Sequence, residues 1–264
     1  MPIERDNWKG ALRALRGNQA DLTLKTALKR SNAGGSGAFL GLDQDDQRYW
    51  IKVLNNPQHY RVCTNEQIVG RAAALIGSLA PRVNTIQITD DLAGWKFRDD
   101  RELLSGVAHA SSAIESATET HVLENRDKDD NGRHHAEVIA LYDWCWGSDP
   151  QWLTAQAEDQ RCYSHDHGHY LPGGPNWNPD EVTRHIDAAN LYPYAGNAFK
   201  SAIIEDISKR LEAVTHADLV TLLSAIPTSW MVSDDDLETI GYFLEFRAPE
   251  VARRLRERSE GRNS

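Results

Sequence analysis

Cysteine is scarce in this chain, and no apolar run is long. Cys63, Cys145 and Cys162 are the only thiols in 264 residues. An odd number without metal-ligand spacing excludes a disulfide framework and leaves them as small buried residues of a reducing cytoplasm. No apolar stretch approaches the roughly 18 residues of a membrane span, so no membrane partner is expected. The opening M-P-I-E-R-D-N-W carries no signal-peptide pattern, which adds to the expectation of a cytoplasmic location. Positive charge is short as well. Lys and Arg number 29 against 39 Asp and Glu, for a net charge of -10 and a pI near 5.5. Binding nucleic acid directly or an anionic membrane needs a basic face, so neither is expected. A local basic pocket for phosphates stays open. The glycine-rich stretch near residue 35 lacks a following G-K-[ST], which excludes a Walker loop, and no internal repeat is present.

What remains is ordinary for a globular protein, 40% hydrophobic and 26% charged, and long enough for one large domain or two lobes. Trp8, Leu12 and Leu15 have helical spacing and predict a short opening helix or turn. Residues 22–28 read as a strand. The run S-N-A-G-G-S-G-A-F-L at 31–40 predicts a hairpin loop around Gly34, Gly35, Ser36 and Gly37. Such a loop can lay backbone N–H groups against phosphate oxygens, or it is a plain flexible turn. R-Y-W-I-K-V-L at 48–54 is a strand with Lys52 between Ile51 and Val53. Burying an ammonium is costly unless it is paired. Lys52 therefore sits on the solvent face of an amphipathic strand or reaches nucleotide phosphates as a point charge. Residues 64–76 predict a helix with Thr64 and Gln67 at capping-box spacing and Gly77 as its stop. Glu66, in its first turn, either complements the helix dipole or pairs with Lys52. Residues 83–89 alternate as a strand does. A glycine hairpin, a lysine strand, a glutamate helix and a further strand, in that order, describe the small lobe of a kinase-like nucleotide site.

The apolar-to-polar change across residues 102–114 marks the crossover to a second lobe, which divides the chain into 1–110 and 111–264. Residues 136–146 predict the core helix of that lobe, ending in G-S-D-P-Q-W-L. There Asp149 is a loop acid held by a Gly/Pro turn, or only a turn residue before Pro150. In C-Y-S-H-D-H-G-H-Y-L at 162–171, Asp166 arrives on a strand, and Gly168 is expected to let the backbone turn sharply behind it. Two acids on neighbouring loops are what phosphoryl transfer needs, one to orient the acceptor hydroxyl and one to hold Mg²⁺. The same stretch has a second reading. On a strand, His165, His167 and His169 would share one face and could converge on the Zn²⁺ of a metal-dependent hydrolase. Further on, helices are expected at 201–214, 216–223 and 235–247. Pro249 is expected to open a separate, exposed, Arg-rich helix, with a flexible tail after about 258.

Several of these strings together resemble the HipA-like kinase family. They are Y-W-I-K-V-L-N-N-P, T-N-E-Q-I-V-G-R-A-A-A-L-I-G, Y-D-W-C-W-G-S-D-P-Q-W-L and H-D-H-G-H-Y-L, with I-P-T-S-W-M-V-S-D-D-D-L near the end. The resemblance spans about residues 20 to 255. It implies an α+β, bilobal, protein-kinase-like fold, with an antiparallel sheet plus helix in the small lobe and a mainly helical large lobe. It implies ATP and Mg²⁺ as cofactors and a protein Ser/Thr as the phosphate acceptor. Lys52 would contact the α- and β-phosphates with Glu66 as its partner, under the loop of Gly34, Gly35, Ser36 and Gly37. Asp149 matches the catalytic-loop acid and Asp166 the Mg²⁺-binding acid. Where the family commonly reads D-R-H-x-x-N, this chain reads D-P-Q-W, so Gln151 stands roughly at the place of a metal-binding Asn. That departure supports an alternative, a nucleotide-binding pseudokinase.

Overall fold

In the computed structural model, which describes residues 4–31, 35–98, 100–193 and 199–260, the first half of the chain is mainly strand and the second mainly helix. The strands β1 (Leu22–Arg30), β2 (Phe39–Asp43) and β3 (Arg48–Lys52) form a meander. β4 (Val83–Ile88) and β7 (Gly106–Ser112) follow in the same sheet. The hydrogen-bonded order is β1-β2-β3-β7-β4, and β4 then returns to β1. That closing pair is parallel, with Leu22 opposite Ile86 and Thr23 opposite Gln87. The expected antiparallel sheet is therefore a closed barrel with one parallel seam. Closure leaves no unpaired strand edge to shield. Leu24, Phe39, Ile51, Ile86, Ala108 and Ala110 fill its interior. Gly41 is required there, because a Cβ would stand 2.7 Å from Leu24 Cδ1 and 2.8 Å from Ile51 Cδ1. A small ribbon of β5 (Lys96–Arg98) and β6 (Arg101–Glu102) lies beside the barrel.

Helix α1 (Val62–Ile76) begins two residues earlier than expected. Its N-cap is Arg61, which makes no side-chain capping bond. Thr64 and Gln67 are not a capping box. Both are buried, and Gln67 Nε2 donates to the Asn84 carbonyl at 2.6 Å and lies 3.1 Å from His109 Nδ1. Gly77 ends the helix in the left-handed region, as expected.

The rest of the chain adds β8 (Ala117–Thr120), α2 (Asn131–Trp144), β9 (Gln151–Ala155) and β10 (Arg161–His165). β10, β9 and β8 make a three-stranded antiparallel sheet. Helices α3 (Pro179–Arg184), α4 (Ser201–Glu212), α5 (His216–Ser224) and α6 (Asp234–Glu260) complete the helical half. Its apolar core takes in Trp8 and Leu12 from the start of the chain and Ile68, Val69, Ala72, Ala73 and Ile76 of α1. Pro249 does not open a new helix, because α6 runs through it. Burial of Phe243, Leu244 and Ala248 before it and Val251, Ala252 and Leu255 after it anchors both sides and outweighs the lost backbone bond. The Arg-rich end is not wholly exposed either, since Arg254 Nε donates to buried Asp143 at 2.9 Å. The helix reaches Glu260, and residues 261–264, where a flexible tail was expected, lie outside the described residues. All three cysteines are buried and free.

Candidate active site

Strand β3 alternates as its pleat requires. Ile51 points into the barrel core, and Trp50 and Lys52 face a cleft between the barrel and the three-stranded sheet. The cleft has a volume of about 480 Å³, and Ser36, Lys52, Glu66, Gln151, Leu153 and Asp166 are among its lining residues. Lys52 is buried, so its ammonium needs partners. It has two. Nζ donates to Glu66 Oε1 and, at 2.6 Å, to Asp166 Oδ1. Burial alone would lower the Lys52 pKa, but the two carboxylates outweigh it and raise it above the ordinary lysine value. Burial alone would likewise raise the Asp166 carboxyl. The Lys52 ammonium outweighs that and holds the acid well below the usual carboxylate range.

Glu66 also holds the chain that carries Asp166, because Glu66 Oε2 accepts from the His167 backbone N–H at 3.1 Å. Its neighbour Asn65, fully buried, donates from Nδ2 to the Gly168 and Tyr170 carbonyls at 2.9 and 2.8 Å and accepts from Trp177 Nε1 at 2.8 Å. Sequence reasoning passed over Asn65, although a wholly buried amide in an apolar helix is a polar group that must find partners. The turn itself corrects the role expected for Gly168. The left-handed residue is Asp166, with φ 52°. Gly168 is needed for space, since a Cβ there would lie 2.7 Å from Val62 Cγ1 and 3.5 Å from Glu66 Oε1.

Of the glycine hairpin, Gly34 lies outside the described residues. Gly35 is held through its carbonyl by Arg98 Nη1 at 2.9 Å, and the Ser36 carbonyl accepts from Asn56 Nδ2 at 2.7 Å. Gly37 takes φ +65° against Phe97, a conformation costly for residues with a Cβ. Ser36 lines the cleft and is buried.

Asp149 is placed differently from the rest. It is exposed, left-handed at φ 49°, and not among the cleft-lining residues. It joins the cleft through Gln151, whose Nε2 donates to Asp149 Oδ2 at 3.2 Å. Its left-handed backbone does not set it apart, since Asp46, Asp129 and Asp159 share it in surface turns.

The three histidines do not share a strand face. β10 ends at His165, and residues 167–169 form a 3-10 turn. His167 Nε2 lies 2.8 Å from Ser164 Oγ. Among the described residues no group of three or more His, Cys, Asp or Glu is arranged to hold a metal ion, so the hydrolase reading loses its site. Burial pushes the His165 and His167 imidazoles down to about 4. His109 is buried between the barrel and α1, against Gln67, and Asp143 is bound to Arg247 and Arg254, so neither lines the cleft.

A lysine–glutamate pair, an aspartate on a D-x-G turn and a glycine hairpin around one cleft define a protein of the kinase class. The family model described as HipA-like kinase matches residues 24–258, and the chain belongs to that family. Among solved structures, the chain is similar in fold to the crystal structure of the Helicobacter pylori proinflammatory kinase CtkA. The TM-score is 0.59 at 10% sequence identity, over 94% of this chain and 98% of that one. No curated protein matches the chain.

Proposed function

We propose that this chain transfers the γ-phosphoryl group of ATP to a serine or threonine hydroxyl of a protein, with Mg²⁺ as the metal, in the cytoplasm. The observation that carries this reading is the Lys52 ammonium held between Glu66 and Asp166 in the cleft. Lys52 contacts the α- and β-phosphates. The hairpin of Gly34, Gly35, Ser36 and Gly37 covers them, and Glu66 fixes the lysine. The acceptor oxygen forms a bond to Pγ as the bond from Pγ to the bridging oxygen breaks and ADP leaves. Asp149 takes the hydroxyl proton. We assign the two sides of the cleft to two lobes, with the boundary expected between 110 and 111 moved to the end of β7 at Ser112.

The donor set fits Mg²⁺. Asp166 offers a carboxylate, and Gln151, whose amide nitrogen is used on Asp149, keeps an amide oxygen. These are hard oxygen ligands in the small number that Mg²⁺ takes from protein when nucleotide phosphates complete its shell. When bound, the ion neutralises charge on the phosphate oxygens.

Labelled ATP tests the proposal. Wild-type protein is expected to label itself or an added protein mixture, and Asp149→Ala and Asp166→Ala to abolish labelling. The exposed Asp149 and the D-P-Q-W loop favour a second reading, a pseudokinase that binds nucleotide without turnover. Thermal stabilisation by Mg-ATP with no transfer to any acceptor decides for it. Transfer removes it.

A further inference from the structure

The Asp149 side chain is exposed, and among the described residues its carboxylate takes a hydrogen bond only from Gln151 Nε2. A reacting group so lightly held is placed by its backbone, and placement decides rate. That backbone is tied on both sides of the buried Gly147. The Gly147 N–H donates to the Tyr142 carbonyl at 2.7 Å, and a Cβ on Gly147 would stand 2.2 Å from the Tyr142 ring. The Gly147 carbonyl accepts from Asn190 Nδ2 at 2.7 Å, a residue 43 positions further on.

Asn190 is seated in turn by a buried ion pair that the proposed reaction does not use. Its backbone N–H donates to Asp143 Oδ1 at 2.9 Å. Asp143 is buried and also accepts from Arg247 Nη2 at 2.8 Å and Arg254 Nε at 2.9 Å. Arg247, fully buried on α6, donates to the carbonyls of Asp143 and Trp144 on one side and of His185 and Ala188 on the other. One guanidinium thus stitches the end of α2 to the segment 185–190, a task for its rigid fork of five donors. A buried ion pair adds little stability over apolar packing of the same volume. What this one adds is a fixed place for Asn190.

We infer that Asn190, seated by the Asp143–Arg247 pair, is a positioning residue for Asp149. It holds the carbonyl of Gly147, two residues before the acid, and so sets where the carboxylate meets the acceptor hydroxyl. This rests on the phosphoryl-transfer reading of the cleft. It is separate from nucleotide binding, because Lys52, Glu66 and Asp166 are held by one another and by the His167 N–H, and none of them bonds to Asn190.

Transfer from labelled ATP, calorimetric titration with Mg-ATP and backbone hydrogen exchange test the role in wild type and Asn190→Ala. Asn190→Ala is expected to slow transfer at saturating ATP at least about tenfold, since a small misplacement of a reacting group costs up to about a hundredfold. KM and Kd for Mg-ATP are expected to stay unchanged. Amides of residues 147–149 should exchange faster and those of α1 at the wild-type rate. If Asn190→Ala does not fold, Asn190→Asp decides by the same three readings, because it keeps the outline and the backbone bond to Asp143 while its carboxylate cannot donate to Gly147. Transfer as fast as in wild type, transfer and ATP affinity falling together, or unchanged exchange at 147–149 overturns the positioning role and leaves the proposed function standing. Wild type that binds Mg-ATP without transfer to any acceptor, or does not bind it, overturns both.

Discussion

Lys52 Nζ and Asp166 Oδ1 stand 2.6 Å apart although 114 positions separate the two residues in sequence. The contact ties the barrel to the turn after β10. The same ammonium binds Glu66, so its removal strands two carboxylates together. Lys52→Met is expected to destabilise the fold by about 3 kcal/mol, as losing one partner of a buried ion pair does. Urea unfolding measures it. Adding Glu66→Gln to Lys52→Met should recover part of the loss by removing one of the stranded charges. If the double variant is no more stable than the single one, like-charge repulsion is not the cause.

The tight approach of Gly168 to α1 gives a second test. Gly168→Ala places a methyl group 2.7 Å from Val62 Cγ1, and overpacking of this kind costs about 1–3 kcal/mol. The displaced turn carries Asp166, so nucleotide affinity should fall with stability. Val62→Ala in the same chain makes room and is expected to restore most of both. Affinity that stays low after stability has returned would show that Gly168 serves the site in some way other than space.

Stability should also fall between pH 6.5 and about 3. Burial pushes the His109 imidazole down to about 3, whereas in the unfolded chain it titrates near 6.5. Across that window the unfolded state binds the proton and the folded state does not. The stabilisation is therefore complete above pH 6.5 and drains away as the pH drops toward the folded value, by up to about 1.4 kcal/mol per pH unit. Chemical unfolding at a series of pH values reads the slope. His109→Asn should flatten it by close to one proton, and an unchanged slope would assign the acid sensitivity to other buried histidines.

The sequence offered the ion pair as one of two readings, because a lysine between isoleucine and valine in a strand is costly to bury unpaired and a glutamate lay on the next helix. It singled out Asp166 by the glycine that follows it, as one of two readings of that stretch, but mistook the reason for the glycine. Space against Val62 is a tertiary fact, and the run H-D-H-G-H does not contain it. The start of α1 was misplaced for a related cause. Thr64 and Gln67 have the spacing of a cap, but burial gives Gln67 to Asn84 and His109. The parallel closure of β1 on β4 rests on two register pairs between distant segments, which no local pattern records. Pro249 is the reverse case, where a strong local signal for a boundary yields to apolar anchors on both sides. Trp50 read as part of a β-rich run, and only the structure places it in the lining of the cleft.

Helix α1 shares its apolar core with the helical half, while the barrel keeps a separate core. Glu66 stands on α1, and Asp166 is fastened to α1 through Asn65 and the His167 amide. Glu66 is therefore joined at once to Lys52 of the barrel and to the turn that carries Asp166. Three segments remote in sequence, β3, α1 and the turn after β10, thus meet at a single ammonium, and a change in any of them is felt at the other two.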